Sequence, residues 1–362
     1  MISIARTLLG LIIVLLSSAV VLGAEHGESW ADRISFKGDF RLRHEEIDEE
    51  GEERLDRRRY RARLAMLTKV HPKVEINLQI ASAADNPVSR NVTFDGGFQI
   101  DDIGFDLYNV DWAATSGLHV VVGKMKNPFY KVGGSALIWD GDLNPDGIAV
   151  KYHTGKFFGT VAGFSIEERS SGDESMLYAT QVGTEFNIGN GSKLTAGIGY
   201  FAFTNMVGNK PFFDAGPRGN SVDLEGNYVV GYQDVELFAQ LNMKVGRWPL
   251  SVFAHWVRNR EASEQDTAYA VGARIGASKA RGDKEFIWIY RDIEADAVVG
   301  TIIDSDFGGG GTDLSGHVFK GKIAVTDSIG FSGTFYRNSV DRFQGIEHDY
   351  NRIQLDVEFK FD

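Results

Sequence analysis

Arg57-Arg58-Arg59-Tyr60-Arg61-Ala62-Arg63-Leu64-Ala65-Met66-Leu67-Thr68-Lys69-Val70 is the stretch that decides the fold. At every second position it separates into two sets. Tyr60, Ala62, Leu64, Met66 and Val70 form one; Arg57, Arg59, Arg61, Arg63 and Lys69 form the other. Period two marks an extended strand with one greasy and one wet face. The division recurs upstream, where Ile34, Phe36, Phe40 and Leu42 oppose Ser35, Lys37, Asp39, Arg41 and Arg43. It recurs at the end, where Ile353, Leu355, Val357, Phe359 and Phe361 oppose Arg352, Gln354, Asp356, Glu358 and Lys360. Two segments, Leu118–Met125 and Phe286–Tyr290, are apolar on both faces, and their parity stays unassigned.

The connections alternate in length. Short ones, such as Gly189-Asn190-Gly191, carry the residues of tight turns. Long ones fall near Glu46–Asp56, Asp85–Gly97, Asn127–Asp146, Glu167–Ser175, Asn205–Gly231, Arg260–Thr267, Ala295–Leu314 and Ser339–Asp349. Counted this way, seven short turns and eight long loops join sixteen strands in one domain. A sandwich would hide the apolar face by folding the sheet on itself, and lipid would hide it around a closed cylinder. Strand length, longer than the usual five or six residues of a sandwich, favours the cylinder. So does the segregation of short turns from long loops. Aromatics near strand ends (Trp112, Trp139, Trp248, Trp256, Tyr60, Tyr152, Tyr200, Tyr350) read as interfacial girdles. The expected fold is therefore all-β, a transmembrane antiparallel barrel of about sixteen strands with short periplasmic turns and long extracellular loops.

Residues 1–24 read as a signal peptide, with Arg6, an apolar run from Leu8 to Leu22 and a small-residue end at Gly23-Ala24. Residues 25–362 then form the mature outer-membrane barrel. Among the 362 residues there is no cysteine, which excludes a disulfide scaffold and a thiolate metal site. A net charge of −12 argues against a nucleic-acid partner. Beyond the leader no apolar run approaches the roughly 18 residues of a membrane helix. The mean hydropathy of −0.19 taken alone suggests a polar, soluble chain.

Ile34-Ser35-Phe36-Lys37-Gly38-Asp39-Phe40-Arg41-Leu42-Arg43 resembles the opening strand of bacterial putative porins, which are similar to the phosphate-selective porins O and P. Gly123-Lys124-Met125-Lys126-Asn127-Pro128-Phe129 resembles the strand-to-loop motif of that group. Asp142-Leu143-Asn144-Pro145-Asp146-Gly147 and Asp304-Ser305-Asp306-Phe307 resemble later loop motifs. The resemblance spans most of the mature chain. It implies a sixteen-stranded general or anion-preferring channel, often trimeric, in the outer membrane of a Gram-negative bacterium. Such barrels usually end in an aromatic residue, whereas this chain ends Phe361-Asp362.

A barrel of this size keeps an aqueous lumen lined by the polar sets. The pore-lining candidates are Lys37, Arg41, Arg43, Arg57, Arg59, Arg61 and Arg63, a basic stripe on two paired strands. Guanidinium groups stay charged and bind anions through paired N–H donors. Two outcomes stay open. The stripe selects anions, or carboxylates folded inward from Asp101, Asp102, Asp140 or Asp142 neutralise it. Asp39, Glu75, Asp111, Glu185, Glu236, Asp356 and Glu358 also fall on the wet face. Loop Asn127–Asp146 is the candidate constriction, with Lys126, Asp140, Asp142 and Asp146 at issue. No cofactor and no metal are expected. Asp140–Gly147 has the beginning of a calcium loop but places Pro145 at the sixth position and Lys151 at the twelfth. Expected partners are outer-membrane lipid, lipopolysaccharide, and small ions or solutes, with a homotrimer. The alternative is a barrel enzyme or adhesin with a plugged lumen. It would need a nucleophile, a base and an orienting group together, and the eight His are scattered.

Overall fold

The computed structural model describes residues 30–82, 87–97, 100–168, 174–343 and 345–361. The expected leader lies outside the described residues. One unit ends at Ile34 and contains the 3-10 turn Trp30–Arg33; the barrel unit runs from Ser35 onward.

The strand segments are β1 (Ile34–Glu49), β2 (Leu55–His71), β3 (Val74–Ser82), β4 (Val92–Thr93), β5 (Ile103–Ala113), β6 (Leu118–Lys124), β7 (Asp146–Thr154), β8 (Phe157–Glu167) and β9 (Ser175–Asn187). They continue as β10 (Lys193–Phe203), β11 (Gln233–Val245), β12 (Trp248–Asn259), β13 (Thr267–Gly276), β14 (Lys284–Ile293), β15 (Leu314–Ala324), β16 (Ile329–Val340) and β17 (His348–Phe361). β4 is a two-residue piece beside the upper part of β2. The other sixteen form one antiparallel barrel, closed where β17 pairs with β1 from Gly38 opposite Phe361 to Glu49 opposite Tyr350. Closure leaves no edge, so every strand finds its backbone partners without water.

Period two places the outer surface. Phe36, Phe40 and Leu42 on β1, Leu64 on β2, and Ile353, Leu355 and Phe359 on β17 all face outward and are exposed. Short turns gather at one end and long connections at the other. The connection after β1 is an exception to the expected lengths. β1 and β2 reach Glu49 and Leu55, leaving a turn of 50–54 rather than a loop over 46–56. The acidic run stays in strand because its charges are matched across the hairpin, Arg54 to Glu46 and Arg57 to Glu45.

The interior departs further from expectation. Three long connections, L3 (125–145), L5 (204–232) and L7 (294–313), fold into the barrel. Phe129, Leu137, Ile138 and Trp139 of L3, Phe212, Tyr228 and Tyr232 of L5, and Val298, Ile302 and Phe307 of L7 are buried. They pack on inward residues of the wall: Phe164 of β8, Leu177 of β9, Phe201 of β10, Phe238 of β11 and Phe253 of β12. A side chain of this size contributes roughly 2 kcal/mol when fully buried, so the apolar residues build an internal core as well as an outer coat. This explains the segments without parity. Val121 and Met125 of the first, and Ile287 and Ile289 of the second, face this core. Two aromatics expected in the girdles belong to it as well. Trp139 packs on Phe129 and Phe164 at 6.4 and 5.9 Å, and Tyr350 is buried inside the barrel.

Candidate functional site

With the lumen beside β7–β14 filled by packed loops, the open space lies along β1, β2 and β15–β17, where the arginines stand. Alternation puts Arg41, Arg43, Glu45, Arg57, Arg59, Arg61 and Arg63 on the inward face, where several guanidinium groups share one carboxylate. Arg43 forms a fork with Asp356 (Nε–Oδ1 2.7 Å, Nη2–Oδ2 3.0 Å) and reaches Asp306 of L7 at 3.1 Å. Arg61 and Arg63 meet on Asp39 at 2.7 and 2.6 Å, and Arg61 also reaches Glu358 at 3.1 Å. Glu45, fully buried, holds three guanidinium groups: Arg57, Arg59 at 3.4 Å and Arg352 at 2.5 Å. Arg41 donates instead to the amide oxygen of Asn91. Lys37 stands exposed near the short-turn end of β1.

L3 and L7 meet over this wall. The Asp140 N–H donates to the Ile302 carbonyl at 2.8 Å, and the Ser305 N–H donates back to the Asp140 carboxylate at 3.2 Å. The Ser305 hydroxyl reaches the carbonyl of Val88 at 3.2 Å. Asp304 takes Arg291 at 2.6 Å. Burial, then the nearby Asp304, pushes the Asp140 carboxyl well above the usual carboxylate range. Burial acts the same way on Asp306, but Arg352 and Arg43 outweigh it and hold that carboxyl far below its usual range. Burial lowers the Lys131 ammonium, opposed in part by Asp140 and Asp304.

The gap between the loops and the wall is a cavity of about 220 Å³. Its cations are Arg41, Arg43, Arg61, Lys131, Arg291 and Lys320; its carboxylates are Asp140, Asp142, Asp304 and Asp306. Through Ser305 and Asp306 it adjoins a vestibule of about 780 Å³ on the long-loop side. Through Arg41, Arg61 and Lys320 it adjoins a cavity of about 250 Å³ on the short-turn side. Of the four loop candidates, Asp140 and Asp142 line the gap. Asp142 lies 3.8 and 3.7 Å from Arg61 and Arg63. Asp146 opens β7, accepts the Tyr108 hydroxyl and does not line the gap, and neither does Lys126. Asp101 accepts the Tyr60 hydroxyl at 2.7 Å and forms no ion pair with the stripe among the described residues.

Several residues of this site carry no local signal. Glu45, Lys320 and Arg352 look like ordinary members of alternating strands. L7 does have one, the apolar run Ala297-Val298-Val299-Gly300-Thr301-Ile302-Ile303, which suits no solvated loop. L3 is held by a polar rack on the wall. Gln181 exchanges hydrogen bonds with the Tyr130 main chain at 2.7 and 3.2 Å. Gln240 accepts the Gly133 N–H at 2.7 Å. His255 lies 3.3 Å from Ser135 and 2.8 Å from Glu236. That Ser–His–Glu set resembles a hydrolytic triad in its members, but all three are buried, and the cavity beside them is about 30 Å³. In the Asp140-Gly141-Asp142 turn, the Asp142 N–H donates to the Asp140 carboxylate at 2.6 Å.

A closed barrel with inward loops and a charged gap is the architecture of a diffusion pore, and sequence comparison agrees. The model of the family described as Putative porin matches residues 47–230 and 215–361. The chain belongs to this family. It is an outer-membrane barrel of a bacterium, and its neighbours among solved structures are porins. The high-pH structure of Pseudomonas putida OprB aligns at a TM-score of 0.63 with 13% identity, covering 91% of this chain and 95% of that one. Salmonella typhi OmpF in complex with daunomycin aligns at 0.57 with 10% identity, covering 92% and 100%. A mutant of the Rh. blastica porin aligns at 0.53 with 13% identity, covering 91% and 100%. At such identities the likeness is one of fold. Among curated proteins no sequence is matched. The family description names a porin and carries no ion preference.

Proposed function

We propose that this porin is a passive, non-enzymatic channel for small hydrophilic solutes that prefers anions. One observation carries the preference. At the gap between L3, L7 and the wall six cations face four carboxylates, and Arg41, Lys131 and Lys320 have no ion-pair partner among the described residues. The other arginines are largely matched, so unmatched charge rather than the whole stripe sets the sign. Successive weak cationic positions let an anion enter and leave. The excess persists on the short-turn side, where Arg41, Arg61, Lys279, Lys320, Lys322 and Lys360 outnumber Asp327, Asp356 and Glu358. Three features support a channel over an enzyme: the family, the neighbours, and a Ser135–His255–Glu236 set with room for about one water. A homotrimer in contact with lipid and lipopolysaccharide is part of the same proposal.

The test is charge reversal. Lys131→Glu with Lys320→Glu should move the zero-current potential under a salt gradient toward cations in a planar bilayer. An unmoved potential would remove these residues as the selectivity element.

A further inference from the structure

We propose that the outer wall at the long-loop end of β14–β16 binds the phosphate of an outer-leaflet lipid, a lipopolysaccharide, between His317 and Arg337. The proposal gives a place to the lipopolysaccharide contact put forward above, rests on that reading, and involves none of the lumen.

The outward side chains of these strands change character along one row. Register sets Tyr290 of β14 opposite His317 of β15, His317 opposite Arg337 of β16, and Arg337 opposite Asn351 of β17. Toward the short turns the outward positions are apolar: Phe319, Phe335 and Ile353 are 37, 38 and 42% exposed. Toward the long loops they are Asp292, Ser315, Ser339 and Asp349. On the outside of a barrel, a row where greasy residues give way to polar ones lies at headgroup level. All four members of this row carry hydrogen-bond donors.

Two of those donors are unengaged. The His317 ring stacks on Trp288 and Phe319 at 6.1 and 5.9 Å between centroids, and the Trp288 Nε1–H donates to its Nδ1 at 3.2 Å. With Nδ1 accepting, the ring proton sits on Nε2, which has no hydrogen-bond partner among the described residues. Arg337 is exposed and makes no ion pair or side-chain hydrogen bond among the described residues. Directly opposite positions lie about 5 Å apart. One phosphate therefore spans both, with the guanidinium fork taking two oxygens in plane. Of the carboxylates on this face, Asp292 is clamped by Arg342 at 2.8 Å. Asp349 and Asp48 lie toward β1, and neither forms an ion pair with Arg337 among the described residues. Inorganic phosphate would use the donors alone. A phosphorylated, acylated lipid also lays its chains on Phe319 and Phe335.

The test uses the full chain in detergent, titrated with diphosphoryl lipid A and read by native mass spectrometry as the fraction of protein retaining lipid. His317→Phe with Arg337→Gln keeps the ring stack and should bind about tenfold more weakly, the loss of one charge-assisted hydrogen bond. Arg258→Gln, which removes a charge from the same end of β12, should bind as the unaltered protein does. Lipid A stripped of its phosphates should bind the unaltered protein as weakly as diphosphoryl lipid A binds the double variant. Inorganic phosphate at the same concentration should displace none. If the double variant does not fold, Arg337→Gln alone gives the readout. Equal retention by the variant and the unaltered protein, or displacement by inorganic phosphate, would overturn this site. An oligomer that falls to monomers in the variant without lipid would overturn it too, because the row would then be a subunit contact. Retention by none of the proteins would overturn the lipopolysaccharide contact itself. The anion channel is judged apart from all of these, by the zero-current potential.

Discussion

Glu45 illustrates how a single side chain decides the electrostatics of this lumen. It is buried, and three guanidinium groups converge on it. Removing one partner of a buried ion pair costs about 3–5 kcal/mol, because the remaining charge stays desolvated. Glu45→Gln should therefore destabilise the barrel by about that amount, read as a lower unfolding temperature in detergent. Asp306 and Asp140 respond to pH with opposite sign. Asp306 is depressed below the ordinary aspartate value of 3.8, so its stabilisation is present above that value and lost as pH falls through its own. Asp140 is raised, so its favourable protonated form is fully present below 3.8 and lost as pH rises through its own value. Asp306→Asn should thus weaken the folded state at neutral pH and matter less in strong acid. Asp140→Asn should flatten the pH dependence at its upper end. Unfolding temperature followed from strong acid to pH 8 checks both.

Among the elements, the strands were legible and the inward loops only partly so. Alternation is local: Tyr60 and Arg61 reveal their faces from their neighbours alone, and most of the seven tight turns announce themselves through Gly, Asn, Asp or Pro. The destination of a loop is not local. Asp306 meets Arg43 across 263 positions, and Gly133 meets Gln240 across 107. The length of L3 points to an inward path, whereas L7 carries its signal only in the apolar run from Ala297 to Ile303. The inward loops also hide the parity of β6 and β14, whose inward residues pack on these loops and so look like a second lipid face. L3 depends on one backbone position in particular. Gly133 has φ +58°, and a Cβ there would lie 2.1 Å from the Phe253 ring. Gly133→Ala should displace the turn that carries Lys131. Single-channel recording should show a changed conductance with more open-channel noise, while circular dichroism keeps its strand signal.

At the scale of the whole molecule, the barrel is built from two unlike halves. Beside β8–β14 the lumen is closed by an apolar core of L3, L5 and L7. Beside β1 and β2 it stays polar, with a matched charge lattice and a few unmatched cations, and β15–β17 contribute to both sides: Leu314, Val318, Tyr336, Val340 and Tyr350 join the core, whereas Lys320, Arg352 and Asp356 join the lattice. A net charge of −12 therefore says little about the path an ion takes, because the acidic excess lies largely elsewhere than the gap. The mean hydropathy misleads for a related reason, since outward apolar positions are offset by inward charges and acidic loops. Sequence alone could place the arginines inside but not pair them, because pairing depends on which carboxylates the closed barrel and the inward loops bring to each one. The central claim is that unmatched cations at the gap make this porin prefer anions. The most direct test is the zero-current potential of the unaltered protein in a planar bilayer under a tenfold potassium chloride gradient. The account predicts a potential of the sign set by chloride; a potential at zero or of the sign set by potassium would contradict it.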